Sequence, residues 1–308
     1  MSIWIGIDVA KATLAVHVHP EGRFLSLPNS PEGYDQLLAY VAGRPVGNVL
    51  LEATGGYERP VMRALADAGL PVTRINPRRA RAFAQALGKT AKTDPIDAAL
   101  LARMGELVVA ERMHPSAQQE ELRALVQRRE QLVQQRDDDR RRLKQATHER
   151  VRTCLAEHIL WLRGQIRAIG KDIARLQQQV DDDLARRLMA VPGIGPVTAA
   201  SLQAYLPELG HLDRREIAAL AGLAPYNADS GKKEGKRRIR GGRGPIRRVL
   251  YMACWCVIRL QPDFQARYRR LRDQGKCAKV AITACMRVLL IRLNAMARDK
   301  TEWRSPAW

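Results

Sequence analysis

The sequence predicts an α/β domain, then a long helical arm, then a mainly α-helical domain. Three observations carry that prediction. Up to about residue 112, β-branched runs alternate with helix-length stretches, the pattern of an α/β layer with a mixed sheet. From about Ser116 to Leu188, Gln, Arg, Asp and Glu dominate, and Leu155, Ile159, Leu162, Ile166, Ile169, Ile173, Leu176 and Val180 alternate spacings of four and three, a heptad seam. Beyond it, apolar helical stretches are separated by Gly- and Pro-bearing turns. A chain of 308 residues has room for two or three domains, here drawn at 1–112, 113–187 and 188–308.

Residues 3–9 and 13–19 are rich in β-branched side chains around a break at 10–12 and predict a hairpin. Asp8 interrupts the apolar character of the first strand, and a buried strand carboxylate costs several kcal/mol unless it is paired or holds a metal. A helix over Glu32 to Val41 follows, then an apolar strand over 46–54 ending in Gly55-Gly56. Glu52 stands near the end of that strand, where open sheets place their ligands. Next come a helix from Val61 to Ala68, a strand over 70–76, a helix opened by Pro77, and the basic loop 88–92.

That loop leads into Thr93-Asp94-Pro95-Ile96-Asp97. Asp94 followed by Pro95 is a favoured N-cap and N1 pair, with Asp97 at N3. On this stretch alone capping accounts for both acids. Residues three apart also share a helix face, so the pair can offer oxygens to one hard cation if other acids join it. Asp8 and Glu52 are placed to do so. Four clustered carboxylates repel one another without cations, and two Mg²⁺ (or Mn²⁺) ions about 4 Å apart would neutralise them and clamp a phosphate.

The arm reads as two long helices forming a coiled-coil hairpin or an oligomerisation element, with no Gly or Pro marking the turn. Its charges read as a solvated face. Then Val191-Pro192-Gly193-Ile194-Gly195-Pro196 has the form of the hairpin in a helix-hairpin-helix, in which Gly193 and Gly195 would let backbone N–H groups approach a phosphate. After a helix over 214–221, a Gly-rich basic loop carries nine Lys or Arg between residues 232 and 248, among them Lys232, Lys233, Lys236, Arg237, Arg238, Arg240 and Arg243, against the single Glu234. Such a loop is suited to gripping phosphate. Ser230 within it would by spacing alone be a turn residue. Helices over 247–260 and 279–297 complete the chain.

The 52 Lys and Arg against 32 Asp and Glu give a formal charge of +20. An excess of that size calls for a polyanion, most commonly nucleic acid. No apolar run in the sequence reads as a spanning helix of roughly 20 residues, and the N-terminus lacks the pattern of a secretion signal. The five cysteines are odd in number and lack paired C-x-x-C spacing, so most are expected to be reduced core residues, in a cytoplasmic, nucleoid-associated protein.

Taken together, 6–11 (GIDVAK), 51–57 (LEATGGY) and 92–98 (KTDPIDA) resemble the RuvC-like, RNase H-fold domain of the bacterial DEDD transposases, the IS-one-ten group. The resemblance implies Asp8, Glu52, Asp94 and Asp97 as the metal-binding set. The segment from Gly222 through Ser230 to Gly242, with 250–253 (LYMA) after it, resembles the C-terminal transposase domain of the same group, and implies Ser230 as the recombination nucleophile. It further implies target and donor DNA as substrates and a structured non-coding guide RNA as partner; the arm that separates the two motif sets suggests a homo-oligomer, dimer or tetramer. The rival enzyme is a RuvC-type junction-resolving nuclease in which water attacks and Ser230 is a loop residue. A nucleic-acid-binding scaffold is the non-enzymatic alternative. An actin-like kinase or ATPase is set aside, because 9–12 (VAKA) supplies no phosphate loop.

Overall fold

The computed structural model describes residues 2–88, 93–109, 115–226 and 237–304. The chain divides into two compact units, Met1–His114 and Pro115–Trp308.

In the first unit β1 (Ile3–Val9), β2 (Thr13–His19) and β3 (Arg23–Pro28) form an antiparallel meander. β4 (Val46–Glu52) and β5 (Val72–Ile75) continue the sheet in parallel on the other side of β1, giving the order β3-β2-β1-β4-β5. This mixed sheet accords with the RNase H-like α/β expectation. The hairpin expected from the sequence has a third strand, β3, whose Leu25 and Leu27 pack partly buried against the core at the sheet edge. Alternation along β1 divides its side chains cleanly. Ile3, Ile5, Ile7 and Val9 enter one core with Tyr34, Leu37 and Val41 of α1 (Pro31–Val41) and Val61, Met62 and Leu65 of α2 (Glu58–Asp67). On the opposite face Leu50 and Ile75 pack against Leu101 and Met104 of α4 (Asp94–Leu107), with Phe83 of α3 (Pro77–Ala86) alongside.

Gly6 explains how closely α4 approaches the sheet. A Cβ built on it would collide with the Ala98 carbonyl oxygen and the Ala102 nitrogen, and would lie 2.8 Å from Leu101 Cβ. An interior strand glycine is therefore what lets the α4 backbone lie on β1. The far end of α4 is tied down by Asn48 of β4, which is 1% exposed: its amide donates to the Val108 carbonyl at 2.9 Å and accepts from Thr73 Oγ1 at 3.0 Å.

The second unit is helical. α5 (Ala117–Gln145) and α6 (Glu149–Met189) form an antiparallel hairpin turning through residues 146–148. All eight seam residues read from the sequence lie on the buried stripe of α6. At the base of the hairpin Leu122, Val126, Ile173 and Leu176 belong to the same core as the C-terminal helices, so the arm, expected as a separate domain, packs as part of this unit. α6 breaks at Asp181 (φ −169°, ψ 92°), whose carboxylate accepts from Leu184 N at 2.9 Å and restarts the helix. α7 (Pro196–Tyr205), α8 (Arg214–Leu220), α9 (Gly244–Leu260), α10 (Pro262–Asp273) and α11 (Ala278–Asp299) complete the unit, with the short ladder β6 (Pro225–Tyr226) and β7 (Arg238–Ile239) between α8 and α9. α10 was not expected. α11 is long and apolar enough to cross a membrane by composition, contrary to the sequence reading. Its Ala281, Ile282, Cys285, Leu289, Leu290 and Leu293 are buried among the other helices, which accounts for its composition. Contrary to the expectation that most cysteines lie in the core, the structure buries Cys254 and Cys285 and exposes Cys154, Cys256 and Cys277.

Candidate active site

Ile7 of β1 pairs with Leu51 of β4 in parallel, so Asp8 and Glu52 are the next residues on adjacent strands, on the face that α4 covers. α4 starts above these strand ends. Thr93 is its N-cap, and the first helical bond runs from Asp97 N to Thr93 O at 2.9 Å. The expected cap is therefore displaced by one residue: Asp94 and Pro95 are the first two helical positions, and Asp97 is the fourth. Asp8, Glu52, Asp94 and Asp97 all line one cleft of about 520 Å³. Three stretches far apart in sequence thus deliver their acids to one place.

Oxygen-only donors suit hard divalent cations such as Mg²⁺ or Mn²⁺, so the set fits the implied metal in kind. Among the described residues no three His, Cys, Asp or Glu side chains lie close enough together to hold one ion. The four acids share a cleft without forming a closed coordination shell.

Two supports were not foreseen from the sequence. Glu58, 2% exposed, accepts from Gly56 N at 2.9 Å and Thr54 N at 3.1 Å and faces Arg74 Nη1 at 3.4 Å. Burial is the largest influence on its carboxyl and pushes the pKa up, but the backbone donors and the Arg74 charge together hold it below the usual carboxylate value. It fixes the loop that follows Glu52. Asn29 bridges the turn after Asp8 to that same loop, donating to Ala10 O at 2.9 Å and Tyr57 O at 3.3 Å while accepting from Tyr34 at 2.6 Å. A glycine inside a strand pattern was the available signal for Gly6; the partners of Glu58 and Asn29 are remote in sequence and gave none.

In the second unit, Gly193 (φ +86°) sits where a Cβ would strike Cys256 Cβ of α9, so its role there is close packing. Gly195 is the N-cap of α7 with open space around it. Arg237, Arg238 and Arg240 are exposed. Arg243 is committed elsewhere: its two terminal nitrogens grip both oxygens of Glu208 at 2.6 Å, and one also donates to Tyr205 O at 2.8 Å. A phosphate contact by Arg243 would require that pair to open. Ser230, Lys232, Lys233 and Lys236 lie outside the described residues. The flanks of their segment are anchored, through the β6–β7 ladder and through Arg247, which donates to Ala221 O at 3.1 Å and Gly241 O at 2.5 Å.

Comparison with known proteins agrees with this layout. Residues 5–149 match the IS110 DEDD model, described as "Transposase", and residues 185–269 match the model described as "Transposase IS116/IS110/IS902 family". The pilin gene-inverting protein of Moraxella lacunata is 28% identical over 309 residues, covering 96% of each chain. The transposase for insertion sequence element IS1328 of Yersinia enterocolitica is 27% identical over 294 residues, 85% of each. The insertion element IS110 43.6 kDa protein of Streptomyces coelicolor is 31% identical over 162 residues, 50% of this chain and 38% of that one. A DEDD transposase domain implies dependence on a divalent metal in general. With two models of this family matched in order along the chain, the protein belongs to the IS110 family of insertion-sequence transposases, enzymes that act on DNA.

Proposed function

We propose that the protein catalyses Mg²⁺-dependent, serine-mediated cleavage and exchange of DNA strands during movement of an insertion sequence, guided by a structured non-coding RNA. The observation that carries this reading is the convergence of Asp8, Glu52, Asp94 and Asp97 on one cleft. These residues would hold the divalent ions, which when bound polarise a scissile phosphate. Ser230 Oγ attacks a DNA phosphate and displaces the strand end, and the phosphoserine link keeps the phosphodiester energy for rejoining. Lys236 and Arg238 stabilise the charge that develops. Gly195 and the exposed arginines of the β7 region hold phosphates without reading bases, consistent with leaving sequence recognition to RNA pairing. The α5–α6 hairpin acts as a coiled coil joining copies in a dimer or tetramer, in a nucleoid-associated, cytoplasmic protein.

The test is incubation with Mg²⁺, the candidate RNA and paired target and donor DNA, followed by denaturing electrophoresis. A protein–DNA adduct is expected, lost in Ser230→Ala and in Asp97→Asn. Cleavage that persists in Ser230→Ala without an adduct would instead establish attack by water, as in a junction-resolving nuclease.

A further inference from the structure

The acids occupy only part of their cleft. A phosphate and two ions displace about as much as five or six waters, roughly 150–180 Å³ at ~30 Å³ per water. The cleft measures about 520 Å³, and the remainder reaches the lower end of small-ligand pockets, roughly 300 Å³.

The walls of that remainder are of a different kind. On α4, Asp97, Leu100, Leu101 and Met104 are spaced three, one and three apart, one helix face that passes from carboxylate to hydrocarbon. Across from them α3 contributes Phe83, Arg81 and Gln85 to the same lining. Phe83 is partly buried against Leu101 and Met104, so its ring is held by the core and does not have to be ordered on binding. The acidic end suits a metal-bound phosphate, and the adjoining apolar end offers a fixed π-face. Arg81 supplies a cation at the rim, and Gln85 offers a donor and an acceptor for a base edge.

We propose that this end of the cleft is a nucleobase subsite, in which a base adjacent to the phosphate held at the four acids lies unstacked from its strand against Phe83 and Leu100. The inference rests on the reading of those acids as the metal and phosphate site. It gives the domain a contact with unpaired or flipped nucleotides, which are the ones free to leave the stack.

The test uses the full-length chain and a single-stranded oligonucleotide carrying one 2-aminopurine at successive positions, in Ca²⁺. Binding is read by anisotropy of a distal dye, and base contact by 2-aminopurine emission. At one position emission is expected to rise on binding in the wild type, as the base leaves its neighbours, and to rise less in Phe83→Leu, which keeps an apolar side chain and loses the ring. Phe83→Leu should weaken binding about 5- to 150-fold, the range for one lost base–aromatic contact, with the variant still folded at the assay temperature by its melting curve. An abasic residue at that position should weaken the wild type by a similar factor and Phe83→Leu no further. A metal-dependent rise in emission that ignores Phe83→Leu, or binding losses that multiply, overturns the subsite alone. An emission change that depends neither on Ca²⁺ nor on Asp97 overturns the metal reading and the subsite with it.

Discussion

Substituting Gly6 by Ala tests the frame of the cleft more directly than changing an acid. The new methyl would lie 2.8 Å from Leu101 Cβ and inside contact distance of the Ala98 and Ala102 backbone. Carbon atoms settle at about 3.5–4.0 Å, so α4 must retreat from β1 by about 1 Å. Overpacking of this kind costs about 1–3 kcal/mol, roughly 5–15 °C in the melting temperature of a unit this size. The same retreat moves Asp94 and Asp97 away from Asp8, and a misplacement of about 1 Å can reduce a rate by on the order of 100-fold. Gly105, also on α4, is the internal control. A Cβ there meets Leu50 Cδ1 at 3.4 Å and Trp4 Cβ at 3.6 Å, ordinary contacts, and Gly→Ala inside a helix gains about 0.5–1 kcal/mol. Calorimetry and metal-dependent cleavage rates on the two variants should therefore diverge, with Gly6→Ala less stable and slow and Gly105→Ala as stable or more so and active. If both retain full stability and rate, α4 does not rest on Gly6 as described.

Further substitutions probe pairing and packing in both units. Glu58→Gln removes a carboxylate whose folded pKa lies below its ordinary value of 4.5; its stabilisation is present above that value and lost as pH falls through the lower folded pKa. Melting followed from pH 7 to pH 3 should show the variant weaker at neutral pH by about 1.5–3 kcal/mol, and the gap narrowing with acid. Arg243→Lys keeps the charge but breaks the two-pronged grip on Glu208, so denaturant unfolding should show a loss of about 1–2 kcal/mol, and a double-mutant cycle with Glu208→Gln should show coupling. In the arm, Leu162→Ala empties a fully buried seam position and should cost about 2–5 kcal/mol, whereas Leu160→Ala, at a position 69% exposed, should leave the melting temperature nearly unchanged.

What the sequence made legible follows from where each signal is stored. The α6 seam was readable because burial on a long helix repeats every three or four residues, so eight positions give the same answer. Asp8 was readable because a carboxylate inside an apolar strand contradicts its surroundings, and Glu52 because it stands at a strand end, where open sheets place their ligands. β3 was missed because an edge strand with one face half-covered shows only Leu25 and Leu27 as apolar alternation. The start of α4 was placed one residue late because Thr93, Asp94 and Pro95 each carry a start signal, and only backbone geometry chooses among them. Glu58 and Arg243 look like surface charges locally. Their partners, Arg74 and Glu208, stand 16 and 35 residues away, a distance at which composition says nothing about pairing.

The distribution of charge bears on how such a chain can bring a polyanion to an acidic cleft. Residues 1–114 carry 13 Lys or Arg and 11 Asp or Glu, a net +2, so 18 of the 20 excess positive charges stand on residues 115–308. A unit that is close to neutral and lines its cleft with four carboxylates gains little from long-range attraction to phosphate, and at short range repels it. The long-range, salt-dependent part of the affinity should therefore reside in the helical unit, where counterions are released on binding. Under the proposed metal reading, the acids of the first unit add selectivity of another kind, because a phosphate is accepted among them only together with cations that cancel both charges. Under the same reading, separating grip from chemistry would let strong binding coexist with a cleft that stays inert until metal and substrate arrive together.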